Sequence, residues 1–215
     1  MSPPLVLASG STYRAAVLEG AGFEVTVDPP EVDERVADHL FAEVGAEGLA
    51  LELARRKAAA VAPRHPGARV LAADQVGVLG TGADAVMLTK QDTPAGAVAQ
   101  LLALSGTTHR LVNGLVVRGA PGEGSAEGVD VRVVTMRRID EAEARSYVDA
   151  FRPFDTAGSY RLEDQDLPAF ADAVGEPFVT VVEGGDHSGV LGMPLGLLRR
   201  LLTEVADATD VAGRP

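Results

Sequence analysis

Ten residues near the start, Leu5-Val-Leu-Ala-Ser-Gly-Ser-Thr-Tyr-Arg14, constrain this chain more than any other stretch. Leu5 to Ala8 has the length and composition of a buried strand, and Ala15 to Ala21, with Val17 and Leu18 inside it, reads as the helix that follows. Ser9 to Ser11 is then a strand-to-helix turn. It has two readings. One is a phosphate grip, in which glycine admits a ligand close to the backbone, hydroxyls and helix-start N–H groups meet anionic oxygens, and Arg14 adds a forked charge. The other is an ordinary turn with Ser11 or Thr12 as helix N-cap.

Composition narrows what such a grip could serve. With 215 residues, 46% of them apolar, the chain can bury one sizeable core as a single domain or two joined lobes. A formal net charge of -12 argues against binding to nucleic-acid backbone or to an anionic membrane, both of which want clustered Lys and Arg. A small anionic ligand stays compatible if a few cations or a metal ion are focused on it. The absence of cysteine removes disulfides, a thiolate nucleophile and Cys-based zinc sites, and it fits a reducing compartment. The first apolar run is too short for a signal peptide or a membrane span, so a cytoplasmic location is expected. His39, His65, His109 and His187 share no metal-binding spacing and read as surface or packing residues.

Further along, Phe23 to Val27 alternates like a strand, and Pro29-Pro30 precedes the acidic group Glu31, Asp33 and Glu34. Leu40 to Val61 should form one long helix ended by Pro63. Arg55, Arg56 and Lys57 on it suit a solvated face for at least two of the three. Val70-Leu-Ala-Ala-Asp74-Gln75 is an apolar run ending in polar groups, continued extended to Leu79 and turned back through Val86 to Leu88 toward Lys90. Asp74 is either a cap or a ligand-facing group at a strand end. Pro94 to Leu104 is a helix with Ser105-Gly106 as its stop. Leu111 to Arg118 and Val129 to Arg138 are strands joined by a flexible hairpin loop, Gly119 to Gly128, which lacks the Gly-Lys-Ser/Thr ending of a P-loop. Glu141 to Ala150 is a short helix, Phe154 to Tyr160 and Glu163 to Asp166 are irregular, Phe178 to Val182 is strand-like, and Pro194 to Ala206 is the last helix. A single domain over residues 1–207, with a frayed tail over 208–215, is the expected organisation.

Taken in order, Leu7-Ala-Ser-Gly-Ser-x-x-Arg14, Val32-Asp-Glu34, Leu53-Ala-x-x-Lys57-Ala, Ala73-Asp74-Gln75, Lys90, Leu104-Ser-Gly106-x-x-His109, Ala157-Gly-Ser-Tyr160 and Gly192-Met-Pro-Leu195 resemble the Maf family of nucleoside triphosphate pyrophosphatases. The resemblance runs from Leu5 to about Leu202. It implies a two-lobed α/β fold of the Maf/ITPase-like kind, with a long bent mixed sheet and a nucleotide cleft between the lobes, and leaves room for a homodimer. It also implies cleavage of a nucleoside triphosphate between the α and β phosphates with the help of a divalent metal.

Carried over by position, Asp74 resembles the proton acceptor for the attacking water and a metal ligand. Glu34 resembles the second carboxylate at the metal. Ser9, Arg14, Lys57 and Lys90 resemble the groups that hold the triphosphate. Magnesium suits hard carboxylate oxygens with positions left for water and phosphate, and with the three cations it would reverse the sign of a site that otherwise repels its substrate.

The branch similar to dTTP/UTP pyrophosphatases has Thr after the catalytic Asp, Lys before Ala-Gly, and Gln in the segment that follows. Here Gln75, Thr156 and Glu163 stand in those places. Asp-Gln, Ala-Gly-Ser-aromatic and a Glu three residues later resemble the branch that cleaves 7-methyl-GTP, which makes Gln75 and Glu163 base-pocket residues. Thr89-Lys90-Gln91 stands where Gly-Lys-Pro is usual, and Leu162-Glu163-Asp164-Gln165 departs from the branch's usual small residues. Two other classes compete. A nucleotidyltransferase would need a longer Gly-rich loop and a lysine soon after Arg14, which this sequence lacks. A regulator of cell division that binds nucleotide without cleaving it would not need the full set of metal and phosphate groups.

Overall fold

In the computed structural model, residues 2–32 and 39–211 are described. Seven strands occur: β1 (Leu5–Ala8), β2 (Val25–Val27), β3 (Arg69–Leu79), β4 (Val86–Leu88), β5 (Thr108–Arg118), β6 (Ser125–Met136) and β7 (Val179–Glu183). The helices are α1 (Thr12–Gly20), α2 (Phe41–Val61), α3 (Pro94–Leu104), α4 (Glu141–Phe151), α5 (Pro168–Ala173) and α6 (Leu195–Val211). The strands run in the order β2-β1-β3-β5-β6-β7, with β4 also paired to β3. The sheet is mixed. β1 is parallel to β2 and to β3, whereas β4 pairs antiparallel with β3 and β7 with β6. The α/β class expected from the sequence is therefore present.

The chain divides into two compact units. The first comprises the described residues of Met1–Gln75, Val112–Val131 and Gly185–Pro215, and the second Val76–Leu111 and Arg132–Gly184. In the first unit, strand alternation sorts the core to two faces. Leu7, Leu71, Ala73, Leu115 and Val117 pack with Leu18 of α1 and with Leu197, Leu198, Leu201 and Val205 of α6. Val6, Ala8, Val70, Ala72 and Val116 pack with Ala54, Ala58 and Val61 of α2. Nearly continuous burial along β1 and β3 follows from this covering of both faces.

The second unit holds α3 against α4 and an aromatic cluster. Tyr147 and Phe151 stack with centroids 5.1 Å apart, and Phe170 and Phe178 meet edge-on at 5.2 Å. A capping box at Asp140 and Glu143 starts α4.

Several local expectations change. The long helix breaks at Gly45 (φ 68°, ψ -176°), and Pro63 sits in a 3₁₀ turn, Ala62–Arg64, that continues past the α-helix end. The hairpin loop is shorter than its glycine content suggests, because β6 begins at Ser125. It is also closed: Gly119 donates to the Gly124 carbonyl at 2.9 Å, and Glu123 accepts from Ala120 N and from Arg69. Glu163–Asp166 is a 3₁₀ turn rather than irregular chain, and α5 follows it unforeseen. Finally, α6 runs on to Val211.

Candidate active site

The turn after β1 is built as its residue types suggest. Ser11 caps α1, its hydroxyl accepting from Arg14 N at 3.4 Å. Ser9 is 3% exposed, and its Oγ accepts from Ser11 N at 3.2 Å and from Arg14 Nη1 at 3.0 Å. Arg14 also donates through Nε to the Gly192 carbonyl at 3.0 Å. A Cβ built on Gly10 would meet only Pro29, at an ordinary 3.8 Å, and Gly10 has no left-handed φ. Among the described residues nothing therefore demands glycine there, and Gly10 is exposed.

Asp74 reaches Lys57 through strand parity. It lies two and four residues beyond Ala72 and Val70, so it shares their face, the one α2 covers. Lys57 sits one helical turn from both Leu53 and Val61 on the buried stripe of α2. Its Nζ donates to Asp74 Oδ1 at 2.5 Å, and the two residues are 5% and 6% exposed. Its neighbours behave otherwise. Arg56 pairs with Glu52 at 2.8 Å and Arg55 with Glu127, both on the solvent side. The solvated-face reading thus holds for two of the three basic residues.

Gln75, one residue on, points to the opposite face. Its Nε2 donates to Asn113 Oδ1 at 3.0 Å and to the carbonyls of Gly189 at 3.1 Å and Val190 at 3.2 Å. Asn113, fully buried, donates through Nδ2 to the same Gly189 carbonyl at 2.8 Å. Asn113 was not among the expected site residues. Its signal was a single amide side chain inside the apolar run Leu111-Val-Asn-Gly-Leu-Val-Val117.

Lys90 and Glu163 belong to the second unit. Lys90 is exposed just after β4. Glu163 opens the 3₁₀ turn half-buried, and burial, reinforced by nearby Asp164 and Asp155 against the counter-pull of Arg161, pushes its carboxyl above the usual carboxylate range. The three acids of that turn separate. Asp164 is 6% exposed and accepts from Tyr147 Oη at 2.6 Å, while Asp166 is exposed.

Glu34, expected as a metal ligand, lies outside the described residues. Among the described residues no group of three His, Cys, Asp or Glu side chains is placed to hold a metal ion. A magnesium site needs only one or two carboxylates, with water and substrate phosphate completing its shell. Asp74 is a carboxylate of the right kind. No helix among the described residues is long and apolar enough to cross a membrane.

The chain was compared with known proteins. The profile of the Maf-like protein family matches residues 4–205. A 7-methyl-GTP pyrophosphatase of Xanthomonas oryzae pv. oryzae is 37% identical over 204 residues, 95% of this chain and 97% of the relative. A nucleoside triphosphate pyrophosphatase of Ruegeria pomeroyi is 36% identical over 91% of this chain and 92% of its own length. A dTTP/UTP pyrophosphatase of Salinibacter ruber is 35% identical over 94% of this chain and 91% of its own length. With an ordered turn at the end of β1, a buried lysine–aspartate pair on β3, and a family match over almost its whole length, the chain belongs to the Maf-like protein family.

Proposed function

We propose that this protein is a nucleoside triphosphate pyrophosphatase, hydrolysing the α–β phosphoanhydride to a nucleoside monophosphate and pyrophosphate, with 7-methyl-GTP or another purine nucleotide as its preferred substrate. The observation that carries the proposal is the Lys57–Asp74 pair, buried in the middle of β3, two residues beyond Ala72, where the parallel β1 ends and leads through Ser9 into α1 and Arg14. A buried ion pair is poor value as a stabiliser, because desolvation of two charges offsets most of their attraction. Its position on β3 just past the end of the neighbouring β1 favours chemistry as the reason for it.

Asp74 accepts the proton of an in-line water. Lys57 holds that carboxylate in place, and its ammonium has three donors, so it can keep Asp74 while also meeting a phosphate oxygen. Ser9 and Arg14 hold the triphosphate at the start of α1, where helix-end N–H groups add to the favourable field. Lys90 is assigned a further phosphate contact. A magnesium ion held by Asp74 and Glu34 would supply positive charge to the phosphate oxygens when bound.

Glu163 is assigned to the base. Its partly desolvated carboxylate accepts from guanine N–H groups and would favour a cationic methylated purine. Gln75 already spends its amide nitrogen on protein acceptors, so what it offers a base is its carbonyl oxygen, an acceptor of the same sense. The Salinibacter relative's name keeps a dTTP/UTP preference as the second reading.

A panel of 7-methyl-GTP, GTP, ATP, dTTP and UTP, assayed for pyrophosphate release with and without magnesium, tests this. The expected result is magnesium-dependent release, fastest from 7-methyl-GTP. Fastest release from dTTP or UTP would move the assignment to the second reading. Binding without release would make the protein a regulator, and release only with a second substrate would make it a transferase.

A further inference from the structure

One connected set of polar groups in the first unit links residues expected to touch substrate to Asn113 and the Gly189–Gly192 turn, which have no role so far. It begins at Gln75 and Asn113 and ends at Arg14. Gln75 Nε2 and Asn113 Nδ2 both donate to the Gly189 carbonyl, at 3.1 and 2.8 Å, and Gln75 also reaches Val190 at 3.2 Å. The turn they hold is braced within itself: Met193 N donates to Ser188 O at 3.3 Å, Leu195 N to Ser188 Oγ at 3.0 Å, and Asp186 takes Ser188 N and Gly196 N at 3.0 and 2.8 Å. At its far end the Gly192 carbonyl accepts Arg14 Nε at 3.0 Å. Gly192 has φ +78°, and a Cβ there would press on the Arg14 guanidinium, 3.2 Å from Nε and 3.3 Å from Nη2. The backbone of this turn is thus a wall against which the arginine is set, and glycine is needed to bring it that close.

Burial makes the arrangement costly to disturb. Asn113 is completely buried, so each of its bonds replaces water that cannot return, and a lost partner leaves carbonyl oxygens to desolvated neighbours. Arg14's fork is useful to a phosphate only if its plane is fixed beforehand. Ser9 fixes one nitrogen, and the Gly192 carbonyl fixes the other edge.

We propose that Gln75 and Asn113 are positioning residues for the triphosphate: they hold the Gly189–Gly192 turn, and through the Gly192 carbonyl that turn sets the plane of the Arg14 guanidinium. This rests on the reading of Arg14 as a triphosphate contact. It gives the amide side chain next to Asp74 a task independent of the base, and it gives the Gly192-Met-Pro-Leu195 motif a purpose: a tight backbone against Arg14 followed at once by α6.

A double-mutant cycle tests it. Steady-state pyrophosphate release is measured for wild type, Asn113→Ala, Arg14→Ala and the double variant, with 7-methyl-GTP and with dTTP. Asn113→Ala should lower kcat/KM about five- to tenfold, mostly through KM and equally for both nucleotides, whereas in the Arg14→Ala background it should cost less than about twofold. An equal loss in both backgrounds, or a loss that depends on the base, overturns the proposal. If Asn113→Ala does not fold, as judged by its unfolding midpoint, Asn113→Ser takes its place, since a hydroxyl there is too short to hold Gln75 and Gly189 together. If wild-type protein releases no pyrophosphate, the reading as a pyrophosphatase fails by itself, and the same cycle read as triphosphate dissociation constants still decides whether the turn positions Arg14.

Discussion

Asp74 in the first unit and Asp164 in the second are equally buried, each 6% exposed, yet they are held by different kinds of partner. Asp74 meets a lysine that comes from a helix face otherwise made of Leu, Ala and Val. Asp164 accepts a phenol hydroxyl from Tyr147 at 2.6 Å and a guanidinium from Arg161 at 3.4 Å, in a segment where Arg161 N also donates to Tyr147 at 3.0 Å. The second arrangement is a local tie between α4 and the 3₁₀ turn, wrapped by the aromatic rings of Tyr147, Phe170 and Phe178. The lesson is that burial of an acid does not by itself mark chemistry. Lys57 and Tyr147 each lie 17 residues before their acid, so the contrast is one of chemistry. A phenol and the guanidinium three residues before it tie Asp164 into its turn, whereas an ammonium from α2 meets Asp74 inside β3, where the proposed function puts the ligand.

The sharpest way to break this contrast is to remove each carboxyl charge in turn. Asp74→Asn should lower pyrophosphate release by ~10² to 10⁴ while leaving fold and nucleotide binding largely intact, because the volume stays and the base is lost. Asp164→Ala should instead lower stability by about 1.5 to 3 kcal/mol, with turnover of the folded fraction kept within a few-fold. Rates and denaturant midpoints on both variants check it, and an Asp164 variant as dead as the Asp74 one would end the distinction.

Next in size are the cations. Lys57→Ala and Lys90→Ala should each reduce kcat/KM by roughly 10- to 150-fold, the equivalent of ~1.5 to 3 kcal/mol for a charge-assisted contact. Arg56→Ala, whose partner is Glu52 at the surface, should stay within about twofold. Three alike results would make the buried Lys57 a structural partner of Asp74 and not a phosphate contact.

A third measurement asks whether the second unit's interior is as intolerant of charge as its aromatic lining implies. His109 is 1% exposed and its Nε2 lies 2.8 Å from Tyr160 Oη. Burial alone lowers its pKa from 6.5 to about 4. The folded state therefore binds this proton less readily than the unfolded state, so the stabilising contribution is complete above pH 6.5 and is lost as the pH falls toward about 4. Over that window wild type should lose about 3 kcal/mol more than His109→Gln in denaturant titrations, from the linkage of roughly 1.4 kcal/mol per pKa unit. Parallel pH profiles for the two proteins would show that His109 is not the group responsible.

The smallest effect concerns the base. Glu163→Gln should erode a purine preference by ~10-fold while lowering general activity less, since an unpaired buried acceptor costs roughly 1 to 3 kcal/mol. Because burial raises the Glu163 pKa, the wild-type preference for 7-methyl-GTP over dTTP should also shrink as pH falls through that raised value, and the Gln variant should not share the trend. An unchanged ranking of substrates in the Gln variant would remove Glu163 from the base pocket.

Much of the secondary structure could be read from local pattern. β1 occupies Leu5–Ala8 and α3 occupies Pro94–Leu104 as expected, because a short apolar run before a Ser-Gly-Ser turn, and a Thr-Pro start with a Ser-Gly stop, are signals complete within a dozen residues. The β1–α1 turn was legible for the same reason. Glycine density misled at Gly119 to Gly128, where β6 starts earlier than composition implies, since pairing with neighbouring strands overrides the local preference of Gly128. The acidic run at Glu163 misled as well, because charge count is silent about which side chain Tyr147 will take.

What the sequence determined by itself is the inventory of groups: Ser9, Arg14, Lys57, Asp74, Gln75, Lys90 and Glu163 in an order that carries a family resemblance. What only the tertiary structure decided is direction. That Asp74 faces α2 and meets Lys57, while Gln75 faces α6's side and meets Asn113 and the Gly189 carbonyl, follows from the parallel register of β1 with β3, in which Ala8 sits opposite Ala72. A slip of one residue would exchange the two faces and put the amide against the lysine. Register is set by hydrogen bonds between strands some sixty residues apart in the chain, and no window of local sequence contains that information.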